Sequence, residues 1–514
     1  MELSPSERGL MAVSGLSRAG SILTSLYSPV LPERLGFFFK TAEKKYLSNL
    51  LIHDLKNQVG LSISQGLVGP GNTLAIFSEI ELRANNLLKQ LDSSEKDRTM
   101  IAFGRELLPL AKWSMGFDRK KTFLIVLQNS MEQRPTGGLI EGIGIAVIDK
   151  GKLLDTSWVG PDDVEASLSG SEDAPQPIRS MLGQEKLLFR DANWPIDGPG
   201  AAVQLKKMYE RATGRGIDGA IFFSTAGLED VLLAIGKDPI KEKSAFSGPE
   251  FVSQIASGLT GSLKSSPFQV IKGLLTGLQN ENIFIVPFDP EQAKIASLSG
   301  IDGGNKKTLC PSQVRLSECG INSIYVVDSN LGANRADYFM KKSRRASVII
   351  APLTTSSTIL DLAYLNTSTV ENSSSVYRGY TRVVIPLSSI VKSVVSVENG
   401  EAVQIPTDNF IESGQHIVGF MLEVKPGESK MIKIAYSSTS KIPIERGTGS
   451  YVLGLKKQPG DSVSTEINIK LSDGITPLSV YPQAKVSGGD LSFKFPMVKS
   501  DSVMVEFAID SLFR

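Results

Sequence analysis

The spacing of apolar positions changes twice along this chain of 514 residues, and each change predicts a different kind of structure. In residues 37–67, and again in 74–91, apolar side chains recur every three or four positions, which is typical of amphipathic helices. The sequence Gly69-Pro70-Gly71 breaks the pattern between them, and residues 101–113 add a shorter helical stretch. Residues 1–115 are therefore predicted to form a helical hairpin or stalk.

Near-continuous apolar runs begin at residue 121 and alternate with helical patterns. The first run, 122–127, is typical of a strand that is buried on both faces. Similar runs follow at 143–148, 220–224, 283–287 and 324–327. The helical patterns between them cover 200–212, 225–235, 250–263, 268–278 and 290–298. This alternation predicts an α/β core domain over residues 116–340, with helices on both faces of its sheet.

Helical patterns end at about residue 334, and short β runs separated by turn sequences take their place. The runs cover 348–353, 359–366, 381–386, 417–424, 430–436, 451–456, 464–471 and 504–509. Turn sequences such as Lys425-Pro426-Gly427 and Gln458-Pro459-Gly460 separate them. Residues 341–514 are therefore predicted to form an all-β domain, most simply a sandwich.

Composition narrows the possible partners. The net charge of +1 argues against broad electrostatic capture of nucleic acid, although it leaves room for a local anion pocket. No segment reaches the roughly 18 uninterrupted apolar residues of a membrane span. The first residues also lack the succession of a signal peptide. We therefore expect no nucleic-acid partner, and membrane attachment only through an anchor outside this chain.

The chain has two cysteines, Cys310 and Cys319, with eight residues between them. Metal sites favour tighter spacing and further ligands, and the two histidines, His53 and His416, are distant in sequence. A disulfide that closes a small loop is the leading interpretation, and it would fit an extracytoplasmic protein. Two unpaired thiols are the alternative.

The loop after the first predicted core strand carries the leading candidate site. In α/β sheets, ligands bind at the carboxyl ends of strands. Arg134 offers a planar fork of donors suited to phosphate or carboxylate, and Asn129 could orient it or contact a ligand. Gly137 and Gly138 permit positive φ and would let main-chain amides approach an anion. The alternative is a structural glycine turn whose arginine pairs with a carboxylate such as Glu132 or Glu141.

Two further clusters follow predicted strands. In the first, Arg190 could serve a phosphate and Asp191 a metal ion, although a buried salt bridge with a helix cap would explain both. In the second, Asn330 suits a tight turn and Arg335 could face a pocket, although a structural junction explains it equally well. The basic residues at 341–345 are interpreted as a solvated strand face rather than an anion patch.

Several separated motifs together resemble the bacterial family called domain of unknown function 4012, and the resemblance covers the chain from about residue 90 to its end. The core motifs are Leu127-Gln128-Asn129, Gln133-Arg134-Pro135-Thr136-Gly137-Gly138, Arg190-Asp191-Ala192-Asn193, Ile217-Asp218-Gly219-Ala220 and Asp328-Ser329-Asn330. The later motifs are Tyr377-Arg378-Gly379-Tyr380-Thr381-Arg382-Val383-Val384-Ile385-Pro386 and Lys457-Gln458-Pro459-Gly460.

This resemblance implies an extracytoplasmic protein associated with the cell envelope. It also implies an α/β core similar to that of the LytR-CpsA-Psr family, whose members bind polyprenyl pyrophosphate lipids and transfer glycopolymers with the help of magnesium. By position, Arg134, Arg190 and Asp191 would be the catalytic residues, and Asp191 would hold the metal ion. The ligand-binding residues would be Asn129, Gly137, Gly138, Asn330 and Arg335.

The sequence departs from the transferases at a position that bears on transfer more than on binding. The transferases place an aspartate shortly after the first arginine as a metal ligand, whereas Arg134 is followed by Pro135 and Thr136. Phosphoryl transfer relies on a cation to neutralise developing charge. The first hypothesis is therefore a protein that binds a polyprenyl-phosphate lipid or an envelope polysaccharide, with phosphotransfer left open. The second is a non-enzymatic surface scaffold or adhesion protein, in which the glycine loop is only a feature of the fold.

Overall fold

The structure is a computed structural model. It describes residues 102–236, 267–305, 318–352, 356–369, 375–398, 400–438, 440–487 and 490–510, together with isolated positions between 78 and 89, Thr308 and Cys310. Most of the predicted helical hairpin at 1–115 and the predicted helix at 250–263 lie outside the described residues. No helix in the described part of the chain has the length and hydropathy needed to cross a bilayer.

A five-stranded sheet forms the first part of the described fold, in the strand order β3-β2-β1-β4-β5. Its strands are β1 Lys121–Asn129, β2 Leu139–Asp149, β3 Lys152–Val159, β4 Gly219–Ser224 and β5 Ile283–Pro287. β1 and β4 are parallel, whereas β4 and β5 are antiparallel. Four of the predicted apolar runs are confirmed as strands of this sheet.

Helices lie before, between and after these strands along the chain. They are α1 Leu108–Ser114, α2 Pro161–Ala166, α3 Gln176–Leu182, α4 Gly198–Thr213, α5 Thr225–Ala234, α6 Pro267–Gln279 and α7 Pro290–Ser299. Asp197 begins α4 by accepting a hydrogen bond from the Gly200 amide, and Ser224 begins α5 by accepting one from Gly227, as N-cap residues do. Gly214 ends α4 in the left-handed conformation.

Two further sheets form the all-β part. Their strands are β6 Gly320–Asn330, β7 Met340–Ile350, β8 Ser357–Asn366, β9 Tyr377–Ile385, β10 Ser389–Glu398, β11 Glu401–Gln404, β12 Asp408–Glu412, β13 Gln415–Val424, β14 Ser429–Ser438, β15 Ile444–Glu445, β16 Thr448–Lys456, β17 Ser464–Leu471, β18 Ile475–Tyr481, β19 Lys485–Ser487, β20 Asp490–Phe495 and β21 Asp501–Ile509. One sheet has the order β12-β13-β9-β6-β16-β21-β18, with β15 beside β16. The other has the order β11-β10-β14-β8-β7-β17-β20-β19.

The two sheets bury their inner faces against each other. Val348 on β7 and Leu362 on β8 belong to one contiguous core with Val383 on β9 and Leu453 on β16. Alternate side chains supply this core, as expected where one face of each strand is buried and the other faces outward. The C-terminal all-β region is therefore confirmed, and its two sheets pack as a sandwich.

Two strand-level predictions need correction. The sequence pattern places the run at 324–327 in the α/β sheet, but this run lies in β6, which pairs with β9 and β16 of the sandwich. A buried sandwich strand and a buried parallel strand give the same apolar run, so the pattern could not separate them. The basic stretch on β7 is not uniformly solvated, because Arg344 is buried while its neighbour Arg345 is exposed. The domain boundaries at 115 and 340 stay predictions.

The disulfide prediction is confirmed. The sulfur atoms of Cys310 and Cys319 are bonded, and the Cα atoms lie 5.9 Å apart. All the site residues discussed below lie in one compact unit, whose described residues fall within 122–146, 156–236 and 276–510.

Candidate functional site

The loop between β1 and β2 depends on its two glycines. Gly137 and Gly138 have φ angles of 126° and 143°, which L side chains rarely adopt. A Cβ atom on Gly138 would lie 2.2 Å from the carbonyl carbon and oxygen of Asn129. The close return of the chain to the end of β1 therefore requires glycine at position 138.

Arg134 lies inside the protein, with 1% of its surface exposed. Its Nε donates to Oδ1 of Asp191 at 2.8 Å, and its NH2 lies 3.6 Å from a carboxylate oxygen of Glu132. Its NH1 donates to the main-chain oxygens of Gln133 and Asn330. Protein groups therefore meet the donors of this guanidinium in the described structure. The contact with Glu132 is the one that the structural alternative for this loop expects.

Asp191 ends a short 3-10 turn, Phe189–Asp191, and is also 1% exposed. Within the described residues its second oxygen, Oδ2, is buried and makes no hydrogen bond. Magnesium takes about six oxygen ligands, and the described part of the chain contains no group of three or more His, Cys, Asp or Glu side chains placed to hold a metal. Asp191 offers one unused oxygen, and magnesium at this position stays a prediction.

The loop is fastened to the β-sandwich by reciprocal main-chain and side-chain hydrogen bonds. The Asn330 amide at the end of β6 donates to the Gln133 oxygen at 2.9 Å, and the Gln133 amide donates to Asp337 at 3.0 Å. From the sandwich side, Nε2 of Gln458 donates to the Arg134 oxygen at 3.0 Å. The loop therefore joins the α/β part of this unit to the sandwich.

The other predicted ligand-binding groups of the loop are also occupied internally. Nδ2 of Asn129 donates to Glu141 at 2.8 Å, while its Oδ1 accepts from the Met131 amide. The Gly137 amide donates to the Arg134 oxygen, and the Gly138 oxygen accepts from Asn193 at 2.8 Å. In this conformation the turn itself uses the Gly137 amide as a donor, and anion binding by the glycine amides stays a prediction.

Two predicted site residues do reach the surface beside the loop. Arg190 and Arg335 have side chains that are 36% and 35% exposed. Arg335 lies 4.0 Å from Glu141, whose side chain is 17% exposed, and Arg190 also pairs with Asp162. We call Arg190, Arg335, Glu132 and Glu141 the arginine surface.

Electrostatics link the four members of this surface. Burial raises the pKa of Glu132 to about 7, although the guanidinium of Arg134 opposes the shift. Burial also raises the pKa of Glu141, against the hydrogen bond from Asn129 and the charges of Arg335 and Arg190. Near neutral pH, part of the negative charge on this surface is therefore removed by protonation.

The structure thus brings most of the predicted residues together. Arg134 contacts both Asp191 and Asn330, and Asn129 contacts the Glu141 that pairs with Arg335. The sequence interpretation missed the roles of Gln458 and Asn193. Both lie in motifs quoted above, so the signal was present, but their partners are far away along the chain.

Two solved structures are similar to parts of the chain. A putative nutrient-binding protein from Legionella pneumophila is 10% identical, with a TM-score of 0.27, over 37% of this chain and 71% of that one. An M1 zinc metallopeptidase from Deinococcus radiodurans is 12% identical, with a TM-score of 0.21, over 33% of this chain and 43% of that one. These similarities carry no functional argument. No curated protein gives a significant sequence match.

One family comparison does cover the site. Residues 118–254, which include the Arg134 loop, Arg190 and Asp191, match the family described as "Protein of unknown function (DUF4012)".

Proposed function

We propose that this chain is a cell-envelope protein that binds the phosphate groups of a pyrophosphate-linked polyprenyl lipid or glycopolymer at the arginine surface. The observation that carries the proposal is a pair of partly exposed guanidiniums beside the loop: Arg335 lies 4.0 Å from Glu141, and the charge of Arg190 also lowers the pKa of that carboxyl. Arginine forks match the geometry of phosphate oxygens and bind them through charge-assisted hydrogen bonds.

The carboxyl groups on this surface are compatible with anion binding. Glu132 has a pKa of about 7 and the pKa of Glu141 is also raised, so a phosphate that approaches near neutral pH meets less than two full negative charges. The same anion would further favour protonation of both groups, because a nearby negative charge raises the pKa of a carboxyl. Binding and proton uptake are therefore expected to be coupled.

Arg134 acts in this proposal as a positioning residue. It holds Asp191, and Asp191 follows Arg190 directly along the chain, so the buried pair fixes the backbone that presents Arg190. Asn129 has a similar role for Glu141. Should magnesium take part, Oδ2 of Asp191 is the oxygen that could join its ligands, and the ion would neutralise phosphate charge.

The envelope location rests on two supports, both indirect. The disulfide between Cys310 and Cys319 is of the kind that persists in oxidising compartments. The sequence resemblance implies the same compartment. Mass spectrometry on protein isolated from its native cells, after alkylation without reduction, should find both cysteines unalkylated, whereas alkylated thiols would contradict the assignment.

The binding proposal is tested with a polyprenyl pyrophosphate in detergent micelles, titrated with and without magnesium. Binding should require the phosphates, so the matched polyprenol without phosphate should bind at least tenfold more weakly. Equal binding of the two lipids would contradict phosphate recognition. Transfer of a glycopolymer is a separate question, which needs product detection rather than binding.

A non-enzymatic scaffold is the second candidate function. It is favoured by the complete burial of Arg134 and by the hydrogen bonds through which the loop fastens the α/β part to the sandwich. In that case, variants of Arg190 and Arg335 would leave phosphate-lipid binding unchanged, while variants of Arg134 would lower the free energy of unfolding.

A further inference from the structure

Lys457 is a buried lysine whose hydrogen-bond acceptors, among the residues that the structure describes, are neutral oxygens. Its residue is 3% exposed, and it lies directly after β16 in the Lys457-Gln458-Pro459-Gly460 motif. Its Nζ donates to Oδ1 of Asn282 at 2.7 Å and to the main-chain oxygen of Gln458 at 3.3 Å. Buried lysines are normally paired with a negative charge, so these two neutral acceptors are unusual.

Asn282 is held firmly in front of this amine. It lies just before β5 and is 8% exposed, and its main-chain oxygen accepts from both the amide and the hydroxyl of Ser224. Besides the lysine, its Oδ1 accepts from the Gly460 amide at 3.3 Å. When Nζ attacks the carboxamide carbon, the Gly460 amide stays as the donor to the oxygen that gains negative charge.

An acid lies on the opposite side of the same carboxamide. Nδ2 of Asn282 donates to Oδ2 of Asp230 at 3.0 Å, and Asn280 holds the other oxygen of Asp230 at 2.9 Å. Burial raises the pKa of Asp230, although the hydrogen bonds from the two asparagines oppose the shift. The carboxyl group can therefore carry the proton that a departing amide nitrogen would need.

The protonation state of the lysine fits the role of a nucleophile. Burial lowers the pKa of Lys457 to about 8, although the charges of Glu281, Asp461 and Asp230 oppose the shift. Roughly a tenth of the side chain is then a neutral amine at pH 7. Neutral amines in dry sites are effective nucleophiles toward carbonyl carbon.

We propose that the side chains of Lys457 and Asn282 join in an intramolecular isopeptide bond, which links the β-sandwich covalently to the α/β part. Nζ of Lys457 attacks Cγ of Asn282, and a carbon–nitrogen bond forms. One proton passes from Nζ to Nδ2 by way of Asp230, the bond from Cγ to Nδ2 breaks, and ammonia leaves. The amine and the primary amide thus become a secondary amide and ammonia, with no oxidation or reduction.

A second buried lysine provides an internal comparison. Lys342 lies 3.1 Å, 3.2 Å and 3.5 Å from carboxylate oxygens of Asp328, Asp337 and Asp461. These charges raise the pKa of Lys342 well above its ordinary value, although burial opposes them. It therefore stays an ammonium ion in an ion-pair network, and a condensation with Asp328 would release water rather than ammonia.

The test is the intact mass of the full chain, purified after folding, then reduced and denatured. The wild type should be lighter than its sequence mass by one ammonia, and a tryptic digest should contain a branched peptide that joins Asn282 to an uncleaved Lys457. Lys457→Arg and Asn282→Ala should each restore the full sequence mass. Asp230→Asn should reduce the cross-linked fraction at least tenfold while its circular dichroism matches the wild type.

Three results would overturn the proposal. The first is a folded wild-type protein that has its full sequence mass. This result does not depend on whether any variant folds. Loss of ammonia confined to a linear peptide is another, because it would indicate a succinimide at an asparagine. Loss of water with a branch at Lys342 is the third, because it would place the cross-link in the ion-pair network.

Discussion

Removing the guanidinium of Arg134 should destabilise the protein strongly, and the structure sets the scale of the effect. In Arg134→Met the Asp191 carboxylate keeps its burial, at 1% exposure, and loses the donor at 2.8 Å. The main-chain oxygens of Gln133 and Asn330 lose a donor as well. Breaking one partner out of a buried ion pair costs about 3–5 kcal/mol.

The measurement is equilibrium unfolding in urea followed by circular dichroism, with Arg335→Met as the matched control. Arg335 is 35% exposed and 4.0 Å from Glu141, so its removal should lower the free energy of unfolding by less than about 1 kcal/mol. A double variant, Arg134→Met with Asp191→Leu, should recover part of the loss, because the uncompensated charge is then absent. The reasoning is refuted if Arg134→Met unfolds at the same urea concentration as the wild type.

Three further predictions follow from the site. Glu132 has a folded pKa of about 7 against an ordinary value of 4.5, so its contribution to stability is fully present below pH 4.5 and is lost as the pH rises to 7. Between pH 5 and pH 8, the free energy of unfolding of Glu132→Gln should therefore rise by up to about 3 kcal/mol relative to that of the wild type. A constant difference between the two proteins across that range would contradict the pKa shift. Phosphate-lipid affinity should be higher at pH 6 than at pH 8, and Glu132→Gln should reduce this dependence; an unchanged pH profile in the variant would remove Glu132 from the account. Gly138→Ala should lower the free energy of unfolding by about 1–3 kcal/mol more than Gly170→Ala does. Both glycines have positive φ, but of the two added Cβ atoms only the one at position 138 would meet backbone atoms. Equal decreases in the urea midpoints of the two variants would show that the loop backbone shifts to accommodate the methyl group.

Much of the fold is predictable from apolar spacing where a strand is buried. The run at 283–287 has the same bounds as β5, and the runs at 122–127 and 220–224 lie inside β1 and β4. β3 was missed because residues 152–157 are exposed and give no apolar run. The pattern places β6 in the wrong sheet, because a strand buried on both faces gives the same apolar run in the α/β sheet and in the sandwich.

The site was predictable in its members but not in its burial. The sequence places Arg134 at a strand end, yet its main partner, Asp191, is 57 residues away, and the oxygen of Asn330 that accepts from it is 196 residues away. Whether an arginine faces a ligand or a buried carboxylate depends on these distant contacts. Local pattern therefore identified the loop, whereas only the fold shows that Arg190 and Arg335 are its partly exposed arginines.

The most direct test of the account is the affinity of wild type and of the double variant Arg190→Ala, Arg335→Ala for a polyprenyl pyrophosphate at pH 7. Each charge-assisted contact contributes about 1.5–3 kcal/mol, so the double variant should bind at least about a hundredfold more weakly. Lys341→Ala, which removes an exposed positive charge on β7, is the matched control and should bind like wild type. Equal affinity of wild type and the double variant, with both proteins folded, would contradict the assignment of the arginine surface as the phosphate site.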